Sequence, residues 1–161
     1  MLFRSGVPPA AGVTPIAWPT PIVPDAPGAT LRVQSASVTA PDRQGTVCVE
    51  LAGSDGIVAG TQNELVWDLD CLTITDPCQA NPTHGKTVLT GGPYHGRLKT
   101  IVFAFDNTDP IEDGVLYCCP FRLASAFASS CCTVRVEDAL ASDPYGDAIA
   151  TEAVAGQICL R

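Results

Sequence analysis

From residue 29 onward, apolar and polar positions alternate in short runs broken by Gly, Pro, Asn and Asp. Side chains two apart share one face of a strand, so this period reads as half-buried β-structure. Leu31 to Thr39 is a predicted first strand. Gly45-Thr46-Val47-Cys48-Val49-Glu50-Leu51 alternates with period two and meets the turn cluster Gly53-Ser54-Asp55-Gly56. Asn63 to Asp68 predicts a third strand and Cys71 to Thr75 a fourth. Residues 76–96, rich in Pro, Gly, Asn and Thr, read as a long surface excursion. Arg97 to Phe105 begins alternating and ends almost wholly apolar, as a central strand would. Asp106 to Gly114 is an acidic loop. Val115 to Ala124 and Cys131 to Glu137 predict two further strands, Asp143-Pro144-Tyr145-Gly146-Asp147 a turn, and Gln157 to Leu160 a closing strand. No long window carries a capped helical period. The expectation is an all-β fold, an eight- or nine-stranded antiparallel sandwich of jelly-roll type spanning residues 29–161.

Residues 1–28 follow another pattern. Seven of the chain's 14 prolines lie here, and Arg4 and Asp25 are its only charges. Proline fixes φ and cannot donate to a ladder, so an extended, polyproline-like arm is expected. The arm is also greasy: Val13, Ile16, Trp18, Ile22 and Val23 are apolar. Two readings follow. The arm is a stiff tether packed on its own domain, or these five residues form a subunit interface by docking into another molecule.

Composition narrows the function. The chain has 161 residues, a formal net charge of -8 and only 16% charged residues. A nucleic-acid binder needs a basic patch to displace counterions from phosphates, and anionic lipid needs the same sign of charge; neither partner fits. No run is long and apolar enough for a membrane-spanning helix. The first residues show no signal-peptide pattern, so the expected chain is either already processed or lacks an upstream segment.

The cysteines point to a compartment. Cys48, Cys71, Cys78, Cys118, Cys119, Cys131, Cys132 and Cys159 are even in number and include two adjacent pairs, with no C-x-x-C spacing. Disulfides in an oxidising environment are therefore expected, and with them an extracellular or cell-surface location. Eight cysteines allow 105 connectivities. Local spacing suggests Cys71 with Cys78, cross-links between the doublets 118–119 and 131–132, and Cys48 with Cys159. Adjacent strand residues point to opposite faces, so each doublet should offer one thiol to the core and one to the surface.

Catalytic signatures are missing. There is no G-x-S-x-G, H-E-x-x-H, P-loop or G-x-G-x-x-G. The two histidines, His84 and His95, fall in the excursion, and disulfides would consume every thiol. The chain is read as non-enzymatic. Calcium is the one cofactor the residues suggest, because it takes carboxylate, amide and backbone oxygens. Asp106, Asn107, Asp109 and Asp113 concentrate such oxygens in one loop, while Asp68/Asp70 and Asp143/Asp147 form smaller pairs. None has EF-hand spacing, and turn chemistry explains the same residues.

Four stretches together resemble the cohesin-like β-sandwich: the opening strands Leu31 to Leu51, the strand Glu64-Leu65-Val66-Trp67-Asp68, the central strand with its acidic loop and Asp-Gly re-entry over Arg97 to Tyr117, and the closing turn and strand over Ala139 to Leu160. The resemblance covers residues 31–160. It implies a jelly-roll sandwich and a surface-exposed binding role; it carries over no particular partner. The cysteine content departs from cellulosomal cohesins and looks like a cysteine-rich exported variant of bacterial origin. Two functions follow. The first is a structural subunit of a filament or surface assembly, joined to copies of itself by the arm. The alternative is a secreted cohesin-like binding module that recognises a protein partner or polysaccharide.

Overall fold

The computed structural model describes residues 28–75, 77–128 and 131–161. Thirteen strands and one short 3-10 turn follow in order. They are β1 (Ala29–Val33), β2 (Ala36–Val38), β3 (Gln44–Ala52), β4 (Gly60–Val66), β5 (Leu72–Ile74), β6 (Gln79–Ala80), the turn Pro82–His84, β7 (Thr87–Tyr94), β8 (Arg97–Phe103), β9 (Gly114–Leu123), β10 (Cys131–Ser142), β11 (Ala148–Ile149), β12 (Thr151–Val154) and β13 (Gly156–Leu160). They build two sheets. A six-stranded sheet runs β12-β1-β3-β9-β5, with β6 also on β9. A seven-stranded sheet runs β2-β13-β10-β4-β8-β7, with β11 also on β10.

The alternation predicted from sequence fills the space between them. Leu31, Val33, Val47, Val49 and Leu51 turn inward from one sheet, and Leu65, Leu98, Val102, Val134 and Ile158 from the other, all almost wholly buried. A cluster of buried polar side chains sits in this core. Asn63 Nδ2 donates to Tyr117 Oη at 2.8 Å, Thr100 Oγ1 lies 2.8 Å from the same oxygen, and Thr100 Oγ1 is 3.0 Å from Asn63 Oδ1. The closed triangle satisfies each member, which a buried polar group requires. Burial pushes the Tyr117 hydroxyl up to about 12, against the pull of its bonds to Thr100 and Asn63.

Three elements differ from the sequence expectation. The predicted first strand, Leu31 to Thr39, is two strands in different sheets, β1 and β2, with Gln34 and Ser35 as the crossing point. There Gly156 packs against the Val33 backbone so closely that a Cβ would clash with it. The excursion over 76–96 contains a complete edge strand, β7, antiparallel to β8. The sandwich also carries two parallel pairings, β1 with β12 and β2 with β13.

All eight cysteines pair, in a pattern different from the one local spacing suggested: Cys48–Cys118, Cys71–Cys132, Cys78–Cys119 and Cys131–Cys159. The doublets present one sulfur inward and one outward, since Cys119 and Cys132 are buried and Cys131 is exposed. They do not bridge each other because β9 and β10, though consecutive, belong to opposite sheets. Cys48 and Cys118 are direct cross-strand partners, as are Cys131 and Cys159. Cys71–Cys132 joins the two sheets, with Cα atoms 6.0 Å apart.

Candidate functional site

The outer surfaces of the two sheets differ in chemistry. The six-stranded sheet shows water Arg32, Gln44, Thr46 and Arg122, with the Arg32–Glu50 ion pair at 3.5 Å. The seven-stranded sheet exposes large apolar side chains. Among the described residues, Leu89, Tyr94, Ile101 and Leu140 lie on its strands, and Phe105 and Tyr145 lie in the connections that follow β8 and β10.

Register explains how they come together. Leu89 pairs with Ile101, Ile101 with Gln62, and Gln62 with Leu140. One row therefore crosses β7, β8, β4 and β10 on the outer face. Leu140 reaches it because the register of β10 shifts between Glu137 and Leu140. Such an extra residue turns following side chains to the other face. Beside this row, Phe103, Gly60, Ser142, Gly146 and Ala148 complete a shallow apolar groove of about 280 Å³. Phe105 stacks edge-on against Phe103 with ring centroids 4.6 Å apart and stays 85% exposed. Tyr145, 92% exposed, stands in the turn next to Gly146.

The other end of the same face is charged. Glu64 and Glu137 are directly opposed in register, an arrangement that repels unless neutralised. Arg97 Nη1 donates to both, at 2.6 and 3.2 Å, and Arg135 Nε donates to Glu137 at 3.2 Å. The hydrogen bond to Glu64 and that carboxylate's charge raise the Arg97 pKa above its ordinary value; burial opposes them, and Glu137 adds a lesser push in the same upward direction. The face thus has an apolar end and an ion-paired, charged end.

Of the four acidic-loop residues, Asp113 is engaged apart from Asp106, Asn107 and Asp109. Asp113 accepts from Gly53 N at 2.8 Å, Ser54 N at 3.0 Å and the Ser54 hydroxyl, tying the loop to the turn after β3. The Ser54 hydroxyl chiefly, with the two amides, holds its carboxyl below the ordinary value against a smaller opposing effect of burial. Asn107 Oδ1 accepts from the buried Lys86 Nζ at 2.9 Å and from Asp109 N at 3.3 Å, and Asn107 Nδ2 donates to Asp106. A lysine ammonium thus stands at the oxygen a cation would claim. Among the described residues, no three His, Cys, Asp or Glu side chains converge on a metal-binding group. The smaller pairs cap turns: Asp68 accepts from Asp70 N, and Asp143 from Tyr145 N and Asp147 N. His84 Nε2 sits 3.0 Å from Val115 O, and His95 lies in the β7–β8 turn against Tyr94. Trp67 is in the core. Val13, Ile16, Trp18, Ile22 and Val23 lie outside the described residues.

Sequence reasoning missed the outer row. Leu89 and Leu140 sit out of phase with the core alternation, and only pairing between four strands makes them neighbours.

This architecture is cohesin-like. A chain of the CaDoc0917–CaCohA2 complex superposes with a TM-score of 0.73 at 17% identity, over 83% of this chain and 99% of that one. The sixth cohesin of scaffoldin B from Acetivibrio cellulolyticus, solved in complex with the Cel5 dockerin, gives 0.67 at 20% identity, over 83% and 99%. A non-cellulosomal cohesin from the archaeon Archaeoglobus fulgidus gives 0.65 at 15% identity, over 83% and 91%. No protein-family model and no curated protein matches the sequence.

Proposed function

We propose that this protein is a non-enzymatic, extracellular recognition module that binds a protein partner on the outer face of the seven-stranded sheet. One observation carries the reading. The large apolar side chains that the strands leave in water gather on that face, beside a cluster of ion-paired charges, while the opposite face is polar and stapled by Cys48–Cys118. Contiguous exposed apolar surface rimmed by polar groups marks interaction sites. The solved neighbours support a protein as the partner, because several of them, the sixth scaffoldin B cohesin included, are complexes that pair a cohesin with a dockerin. Four disulfides support an oxidising setting. The solved neighbours favour the second of the two sequence readings; residues 13–23, on which self-assembly through the arm would depend, lie outside the described residues.

The test is calorimetric titration of the oxidised full chain with a panel of dockerin modules and, separately, soluble polysaccharides. The reading expects a saturable isotherm with at least one dockerin. Saturation by polysaccharide alone, or by nothing in either panel, overturns it.

A further inference from the structure

Lys86 is the one Lys, Arg, Asp or Glu among the described residues that the fold buries, at 7% exposure. It has no carboxylate partner there: every ion pair among the described residues is made by an arginine. Its partner is a carboxamide, with Nζ donating to Asn107 Oδ1 at 2.9 Å. A buried charge without a counter-charge is costly, and a neutral acceptor offsets only part of that cost. We propose that this pair is a modification site, at which Lys86 and Asn107 condense into an intramolecular isopeptide bond. The inference goes beyond the partner-face reading and does not depend on it.

Three features of the site serve that chemistry. The first is approach. Nζ already touches the oxygen of the group it attacks, and Cγ lies one bond beyond. Holding the two groups in contact replaces a bimolecular encounter with an intramolecular one, which lowers the barrier. The carboxamide has only to turn about χ2, a soft torsion in Asn, to present its face to the amine. The second is the oxygen. Asn107 Oδ1 also accepts from Asp109 N at 3.3 Å, so a backbone donor faces the atom on which negative charge develops in a tetrahedral intermediate. The third is the leaving nitrogen. Asn107 Nδ2 donates to Asp106 Oδ1 at 3.2 Å, which puts a carboxylate on the atom that must depart.

The step balances without a co-reactant. The free-amine form of Lys86 adds through its lone pair to Asn107 Cγ and forms the Nζ–Cγ bond. The Cγ–Nδ2 bond breaks, and its electron pair leaves with Nδ2. The amine gives up one proton, which ends on the leaving nitrogen, and Asp106, in contact with that nitrogen, is placed to hand it over. The products are a neutral secondary amide and ammonia. Ammonia takes up a proton in water, so the charge that the fold buried leaves the protein.

Placement gives the bond a structural effect. Lys86 directly precedes β7 and Asn107 follows β8, and Thr87 opposite Phe103 is the last pair of that hairpin. The bond closes the open end of the hairpin and ties down β7, an edge strand that pairs only with β8 among the described strands.

Mass spectrometry of the oxidised full chain reads the bond directly. The expected intact mass is one ammonia below that of the chain with its four disulfides. In the peptide map, trypsin leaves Lys86 uncut and one branched peptide joins it to Asn107. The mass deficit disappears in Lys86→Met and in Asn107→Ala. Asp106→Asn leaves an unjoined fraction that closes about a hundredfold more slowly, the scale of a lost proton-transfer group. A wild-type mass with no deficit, unchanged after days in neutral and mildly alkaline buffer, overturns the proposal. So does a lost ammonia that maps to a succinimide with Lys86 still cleavable, or a deficit that persists in Lys86→Met. Joining of Asp106→Asn at the wild-type rate overturns the role given to Asp106. The wild-type map decides the bond whether or not the variants fold. No partner enters the experiment, so its outcome leaves the partner-face reading to be tested on its own.

Discussion

Asp113 shows how one side chain joins two loops. Its carboxylate gathers two backbone amides and the Ser54 hydroxyl, which favours the ionised form and depresses its pKa from the ordinary 3.8. Protonation is then harder folded than unfolded. The carboxylate's contribution to stability is full above its unfolded value and is lost as pH falls through the lower folded value. Asp113→Asn is expected to cost about 1 kcal/mol at neutral pH, the modest end for charged hydrogen bonds because the group is exposed to screening. The gap from wild type should close as acid denaturation curves are taken below pH 3.8; a gap that is constant with pH would contradict this assignment. Sequence could mark Asp113 as an oxygen ligand in an acidic loop but could not say which groups it faces, because Ser54 is 59 residues away. The same holds for Asn107, whose carbonyl meets Lys86 from another strand connection. Short-range spacing names the chemistry of a side chain; only the fold names its partner.

Strands were legible wherever one face is buried and the other wet. β3, β8 and β9 lie close to the alternating runs that predict them, since a clean period of two records a single core-facing side. β7 was hidden because it is an edge strand reading Thr-Val-Leu-Thr-Gly-Gly-Pro-Tyr. An edge tolerates Gly and Pro, the residues that otherwise mark a loop. β10 was read too short because its shift after Glu137 breaks the period. The same pairing logic misdirected the disulfides. Sequential strands suggested bonded doublets, whereas the connection from β9 to β10 changes sheet. The bridge between sheets, Cys71–Cys132, spans 61 residues of chain against 28 for the in-register pair Cys131–Cys159. Loop-closure entropy then favours the former as the stronger restraint on the unfolded state, about 4 kcal/mol by the chain-entropy model and the larger of the two by roughly 0.7 kcal/mol. Replacing both cysteines of each bridge by Ala and comparing urea midpoints tests this. Equal losses, or the larger loss at Cys131–Cys159, would refute it.

Taken whole, the molecule is a cross-linked sandwich with two unlike faces. Fold class was readable from alternation, and its cohesin-like character from four stretches of strand and loop, because both depend on local pattern. The proposed recognition face was not readable. It is composed by register across β7, β8, β4 and β10, so Leu89, Ile101, Gln62 and Leu140 are far apart in sequence and adjacent only after folding. The claim on which this account turns is that binding belongs to one sheet and not the other. Its most direct check is the affinity of one bound dockerin for three proteins: the wild type, Ile101→Asp with Leu140→Asp on the seven-stranded sheet, and Arg122→Glu with Thr46→Glu on the six-stranded sheet. The account predicts that the first pair weakens binding at least tenfold, about 1.4 kcal/mol, while the second pair leaves it within twofold. Wild-type affinity in the Ile101/Leu140 variant, or a loss confined to the Arg122/Thr46 variant, would contradict it.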